Sequence, residues 1–324
     1  MRGPTECYAG GEGTGLSARP ALLPGLVVAT YGRHCMVERP DGTRLICHPR
    51  GKKSTAVVGD TVQWLPAALG QGEDGTIEKL QPRRNLFYRQ DEIRTKSFAA
   101  NLDQVLILIA AEPEFSETQL SRALIAAEAE RISPLIVLNK QDLTVPFERA
   151  WGWLSAYRDM GYRMLPLSLK TSSDSLDALK AELSGKTTLV LGPSGAGKST
   201  LTNHLVPGAL AATREISQAL NTGKHTTTST TWYWVEKEAQ TALIDSPGFQ
   251  EFGLHHIDAR HLSGLMPDIK PFVERCKFYN CTHLHEPGCG VIAAVKSDSS
   301  AGSISDRRYK IYKDLFAELD APKF

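Results

Sequence analysis

The sequence predicts an α/β fold in three parts, and three observations carry that reading. From Gln104 onward, short apolar runs alternate with helix-length segments, the grammar of a largely parallel sheet covered on both faces. Before it, from Leu22 to Leu80, strand-like runs follow one another between turn residues with no helix among them, as in a small β-barrel. After it, Cys276, Cys281, His283 and Cys289 crowd into fourteen residues, the spacing of a metal-binding module.

Length and composition set the bounds. A chain of 324 residues with 41% hydrophobic content has room for two or three domains. Its formal net charge is only +1, so any nucleic-acid contact has to come from local basic clusters rather than a bulk positive field. Six cysteines, three of them in one cluster, make a metal site in a reducing compartment a better reading than a disulfide scaffold. No apolar run approaches the ~18 residues that span a bilayer, and the N-terminus has no apolar signal-peptide core. The expectation is a soluble, cytoplasmic protein.

Residues 1–21 are glycine-rich with little to bury and read as a disordered tail. Residues 22–86 carry strand runs at Leu26–Thr30, His34–Glu38, Arg44–Cys47, Thr61–Leu65 and Gly75–Leu80, separated by turns such as Pro40-Asp41-Gly42. Five such strands fit a barrel of the oligonucleotide-binding (OB) type. Arg50, Lys52 and Lys53 in a loop, with Arg83 and Arg84 after the last strand, suit either phosphate-backbone contact or ordinary solvated charge. Phe87 to Ala100 reads as a polar, mixed-charge linker.

Residues 87–254 hold the α/β domain. Strands are expected at Gln104–Ala110, Leu135–Leu138, Arg163–Leu167, Thr187–Leu191, Trp232–Val235 and Thr241–Ile244, with helices at Glu117–Arg131, Ala150–Met160 and Leu176–Leu183. Residues 255–324 form a helical, metal-binding domain that ends in an amphipathic helix, Ser305–Leu319. Its Ile311, Leu315 and Leu319 fall at helical spacing, and its basic residues, Arg307, Arg308, Lys310 and Lys313, read as a solvated face in preference to an RNA site.

Gly192-Pro193-Ser194-Gly195-Ala196-Gly197-Lys198-Ser199-Thr200 satisfies the phosphate-loop pattern at every fixed position, between a strand and a helix start. Glycines let backbone N–H groups converge on phosphates, Lys198 supplies a point charge to the β/γ oxygens, and Ser199 a hydroxyl for Mg²⁺. Asn139-Lys140-Gln141-Asp142 directly follows a strand. A carboxylate there accepts from N1–H and the 2-amino group of guanine, whereas adenine would leave it unpaired, so the motif selects GTP over ATP. Ser168-Leu169-Lys170 fits a weaker third nucleotide motif. Asp245-Ser246-Pro247-Gly248 places Asp245 by the Mg²⁺ shell and the Gly248 N–H by the γ-phosphate. Between Lys198 and Asp245, Gly223–Thr228 reads as a mobile switch, in which Thr226 or Thr227 completes the Mg²⁺ shell.

The guanine motif precedes the phosphate loop, the reverse of the usual order, so the GTPase domain is expected to be circularly permuted on an unchanged sheet. Cys276, Cys281, His283 and Cys289 supply three thiolates and an imidazole for a closed, structural Zn²⁺ site, with His285 the competing ligand.

These features together, from Leu22 to the C-terminus, resemble the bacterial RsgA (YjeQ-type) ribosome-assembly GTPases. The resemblance includes Ala100-Asn101-Leu102-Asp103-Gln104 and Glu286-Pro287-Gly288-Cys289. It implies an OB fold for the barrel, zinc in the C-terminal domain, and GTP hydrolysis stimulated by the 30S ribosomal subunit and its 16S rRNA during late maturation. It also implies that His225 positions the attacking water. Ser168-Leu169-Lys170 departs from the commoner S-A-K form. A monomer is expected. Two other classes fit parts of the pattern: a non-catalytic GTP-sensing RNA-binding module, and a P-loop small-molecule kinase, against which Asn139–Asp142 argue.

Overall fold

The computed structural model describes residues 21–32, 34–51, 56–67, 74–171, 173–209, 230–248, 251–295 and 304–322. Of strands β1 (Leu23–Tyr31), β2 (His34–Glu38), β3 (Arg44–Pro49), β4 (Thr61–Pro66) and β5 (Gly75–Leu80), β2, β4 and β5 largely alternate buried and less buried side chains, as a sheet with one covered face requires, while β1 buries Val27, Val28 and Ala29 in succession. They pair in the order β1-β2-β3-β5-β4, and β4 returns to β1, closing the five-stranded barrel around Val27, Val37, Val62, Trp64 and Ile77. The barrel's basic residues are largely committed within the fold. Arg83 grips the buried Asp60 through Nε and Nη2 at 2.7 and 2.8 Å, Arg84 pairs with Asp103 at 2.9 Å, and Arg50 pairs with Glu78. Lys52 and Lys53 lie outside the described residues.

The expected linker is instead a hairpin of β6 (Leu86–Gln90) and β7 (Thr95–Ala100). Its polar turn, Asp91–Arg94, dominates the composition, yet Phe87 and Phe98 are fully buried, so the segment behaves as structure rather than spacer.

Strands β8 (Gln104–Ala110), β9 (Ser133–Asn139), β10 (Arg163–Pro166), β11 (Thr187–Leu191) and β13 (Thr241–Asp245) run parallel, with β12 (Thr231–Glu236) antiparallel beside β13. Every residue of β8 is buried, which explains its unbroken apolar run. One register pair, Ala29 with Thr231, continues this sheet into the barrel. The junction is reinforced by the buried Glu38, which accepts from Trp234 Nε1 at 2.8 Å and Lys237 Nζ at 3.1 Å and pairs with Arg44. Burial alone would raise the Glu38 pKa, but these hydrogen bonds outweigh it and hold the carboxyl below its ordinary value.

Helices α1 (Glu117–Ala129), α2 (Thr144–Trp153), α3 (Ser155–Asp159), α4 (Ser173–Leu183) and α5 (Lys198–Leu205) accompany the parallel strands. The single helix expected over Ala150–Met160 is two, divided at the buried Leu154 just after Gly152, a residue with low helix propensity. At the start of the expected helical domain, over 255–268, only Ala259–Leu265 is helical, as a 3₁₀ segment. The C-terminal helix, Asp306–Asp320, buries Ile311, Leu315 and Leu319 as its spacing predicts. No helix of the described residues is long and apolar enough to cross a membrane.

Arg308 corrects the reading of that helix's basic face as solvated. It is buried, donates Nε to Asp268 Oδ2 at 2.7 Å and Nη2 to Oδ1 at 3.2 Å, and sends Nη1 to Ser121 Oγ at 2.6 Å and Tyr157 OH at 3.1 Å. Arg307 pairs with Glu117 and Lys310 with Asp314, both from the exposed surface. Arg308→Met should therefore cost about 3–5 kcal/mol, because it strands the Asp268 carboxylate without its partner. Urea unfolding read through the C-terminal helix checks this, and a loss below about 1 kcal/mol would show that water can replace the guanidinium.

Candidate nucleotide and metal sites

The carboxyl ends of the parallel strands converge on one rim, where an open α/β sheet places its ligand. At the end of β11 the loop Gly192–Gly197 turns into α5. A Cβ on Gly192 would lie 2.2 Å from the Leu108 carbonyl oxygen, and one on Gly197, at φ +104°, 2.5 Å from Asn139 Nδ2. Only glycine allows both approaches. Lys198 opens α5 with a buried side chain whose ammonium donates to the Gly192 and Pro193 carbonyls at 2.7 and 2.8 Å, over the loop's own turn. Burial lowers its pKa, and nearby Asp245 partly offsets this. Ser199 and Thr200 are exposed, open to the rim.

Asp245 ends β13 directly beside Val190 of β11. It is buried, and its Oδ1 has no hydrogen-bond partner among the described residues. Burial pushes its pKa up to about 6 against the pull of Lys198. An acid raised to about 6 still ionises at pH 7, and a cation beside it would restore an ordinary carboxylate. An orphaned, ionised oxygen at this position fits Mg²⁺. Gly248 approaches the loop from the other side: a Cβ there would sit 3.0 Å from Lys198 Nζ and 3.6 Å from the Ser194 nitrogen.

Asn139 ends β9 and ties the two motifs together, donating Nδ2 to the Ala196 carbonyl at 2.9 Å. Lys140, at φ +68°, turns the chain and donates to the Glu112 carbonyl. Asp142, mostly shielded, accepts from Ser168 Oγ at 3.1 Å, with Lys170 Nζ 4.0 Å away. Ser168 is itself held by Thr171 at 2.8 Å. The Leu169 side chain reaches 3.5 Å from the notional Gly197 Cβ, so the departure from S-A-K leans against the phosphate loop. The structure thus gathers Asn139, Asp142, Ser168, the Gly192–Thr200 loop, Asp245 and Gly248. Gly223–Thr228, including His225, Thr226 and Thr227, lies outside the described residues, as does Phe249.

The second site stands apart. One ligand atom from each of Cys276, Cys281, His283 and Cys289 lies within 4.8 Å of the others. Cys276 and Cys289 sulfurs are 3.8 Å apart, and His283 Nδ1 is 3.4 and 3.5 Å from them. Metal–sulfur bonds of about 2.3 Å and metal–nitrogen bonds of about 2.0 Å at tetrahedral angles require separations of roughly 3.8 and 3.5 Å. The group therefore fits a four-coordinate metal. His283, which is buried, is the histidine that lies in this group, while His285 is exposed. His283 sits at φ +61°, held there by Tyr309 OH donating to its carbonyl at 2.7 Å, while Tyr312 OH donates to the Thr282 carbonyl at 2.8 Å. Glu286 accepts the Thr282 and Leu284 N–H groups at 2.8 and 3.2 Å, bracing the same loop. The spacing of the four ligands was legible; the two tyrosines were missed, since only their place on the C-terminal helix brings them here.

Comparison with known proteins agrees with this architecture. The sequence model of the RsgA GTPase matches residues 80–255. A relative from Variovorax paradoxus (strain S110), named small ribosomal subunit biogenesis GTPase RsgA, is 67% identical over 314 residues, covering 97% of each chain. A Paraburkholderia phymatum protein of the same name is 49% identical over 296 residues, 91% of each chain. Among solved structures, YjeQ from Thermotoga maritima matches with a TM-score of 0.71 and 28% identity, over 93% of this chain and 100% of that one. YloQ, described as a circularly permuted GTPase, gives 0.67 and 26%, over 95% and 99%. With its guanine-motif strand preceding its phosphate loop on one continuous rim, the chain belongs to the RsgA GTPase family.

Proposed function

We propose that this GTPase acts in the maturation of the small ribosomal subunit, hydrolysing GTP to GDP and phosphate in response to the 30S particle and its 16S rRNA. The names of the relatives support the ribosomal part. One observation carries the nucleotide chemistry: Asn139 Nδ2 on the Ala196 carbonyl, which sets the guanine motif against the phosphate loop as a single pocket. The monomeric, cytoplasmic state and domain limits of 22–86, 87–254 and 255–324 belong to the same proposal.

In this reading Asp142 accepts the guanine N1–H and 2-amino group, with Ser168, Leu169 and Lys170 closing the base side. The Gly192–Thr200 backbone cradles the phosphates while Lys198 faces the β/γ oxygens. Mg²⁺, held by Ser199, Asp245 and Thr227 or Thr226, would neutralise charge building on those oxygens. The Gly248 N–H faces the γ-phosphate. The oxygen of an attacking water bonds to the γ-phosphorus as the bond to the β–γ bridging oxygen breaks, releasing GDP. Phe249 stands where a water-orienting glutamine is found in Ras-like enzymes and has no polar atom to offer. His225 takes that role here. Cys276, Cys281, His283 and Cys289 would hold one structural Zn²⁺, and four protein ligands would leave no coordination position for substrate.

Guanine selection tests the pocket. Asp142→Asn turns an acceptor into a donor facing the 2-amino group, and should weaken GTP at least tenfold, about 1.4 kcal/mol or more. The same amide can donate to the 2-oxo group of xanthine, so XTP should gain where GTP loses. Equilibrium titration with GTP, XTP and ATP checks this. An unchanged GTP affinity would remove Asn139–Asp142 from the site, and equal displacement by ATP would favour a kinase.

A further inference from the structure

Residues 251–255, which follow the Asp245–Gly248 loop in sequence, are tied to the β6–β7 hairpin. Gln90 donates its backbone N–H to the Gly253 carbonyl at 3.1 Å and accepts from the His255 N–H at 2.9 Å, so this segment adds a short parallel edge to the β6–β7 hairpin. Phe252 is buried against Phe87 and Phe98, with ring centroids 5.7 and 6.1 Å away. Arg89 donates to the Glu251 carbonyl. Above this segment, Arg122 of α1 donates Nη1 to the Phe252 carbonyl at 3.2 Å. The same guanidinium forms a two-point pair with Glu318 of the C-terminal helix, Nη1 to Oε1 at 2.8 Å and Nη2 to Oε2. His255 stands 4.0 Å from the same carboxylate.

One guanidinium therefore joins three parts: the exit of the Asp245–Gly248 loop, the first helix of the GTPase domain, and the last helix of the chain. Its side chain is only 13% exposed, so this is not a loose surface pair, and a two-point geometry fixes direction as well as distance. The pair borders an open pocket of about 750 Å³ shared with the hairpin turn.

We propose that Arg122 couples the nucleotide rim to the C-terminal helix: by tying the Phe252 carbonyl to Glu318, it makes the placement of the γ-phosphate loop and of the C-terminal helix one shared equilibrium. The proposal rests on the GTPase reading above and is independent of which ribosomal surface is touched. Whatever binds one end with a preference then shifts the other, and the coupling is reciprocal. A merely structural brace would lower the melting temperature without changing how one site answers the other.

The test is hydrogen exchange on the full-length protein, bound to GDP or to a non-hydrolysable GTP analogue, followed in peptides from Asp306–Asp320. Wild type should show a nucleotide-dependent difference there. Arg122→Ala and Glu318→Gln should lose it, and Arg122→Lys should keep part. In parallel, basal turnover of Arg122→Ala should stay within about twofold of wild type, while its 30S stimulation falls about tenfold. A wild-type helix indifferent to nucleotide, or an Arg122→Ala variant that keeps both responses, overturns the proposal. A wild type that answers nucleotide at the helix but ignores 30S subunits refutes the ribosomal reading and leaves the clamp standing.

Discussion

Cys276→Ser should release the metal and unfold the segment between Cys276 and Val295. The reason lies in how little else holds that stretch. The helix before it, Lys270–Val273, and the helix that ends it, Gly290–Val295, have four and six residues, too few to persist on their own. Structural zinc sites contribute about 10–16 kcal/mol to folding in isolated fingers, more than the whole stability of many domains. Loss of one thiolate opens the tetrahedron, and water competes for the vacated position. The C-terminal helix should stay docked, since Arg308 still reaches Asp268, Ser121 and Tyr157. Metal analysis should find about one zinc in wild type and close to none in Cys276→Ser, with protease cleavage appearing after Cys276 and basal GTP turnover retained. No zinc in fresh wild-type protein, or a water among its ligands, would contradict a closed structural site.

His225→Ala should remove most of the stimulated hydrolysis while leaving GTP affinity nearly unchanged. Phe249, directly after the Asp245–Gly248 motif, has no polar side-chain atom to orient water, so the polar group must come from another segment. Fixing one water and one imidazole supplies about 3 kcal/mol, on the order of a hundredfold in rate. A loss confined to kcat identifies a group that acts in the transition state; a rise in KM alone would mean that His225 serves binding. Stimulation equal to wild type would assign the water to another residue.

The legible parts of this protein were those whose chemistry is local. Asn139, Asp142, Ser168, Gly192–Thr200 and Asp245 each sit within a few residues of a strand's carboxyl end, so finding the strands placed them on one rim. The group of Cys276, Cys281, His283 and Cys289 was legible from its spacing. The hairpin was hidden because Phe87 and Phe98 share a core with Phe252, far along the chain, while the charges at Asp91, Glu92 and Arg94 dominate the local composition. Arg308 was read as solvated because Arg307 and Lys310 flank it. Its burial is decided by Asp268, forty positions earlier, and by Ser121 and Tyr157 on the GTPase domain. Arg83 followed the same logic: Asp60, buried at a turn of the barrel, claims it.

The central claim is that the small ribosomal subunit controls GTP hydrolysis at this rim. GTP turnover measured alone and against isolated 30S, 50S and 70S particles tests it most directly. The account predicts slow turnover by the free protein, stimulation on the order of a hundredfold by 30S subunits, and little from 50S subunits. Turnover that is indifferent to 30S particles, or driven equally by 50S, would contradict it.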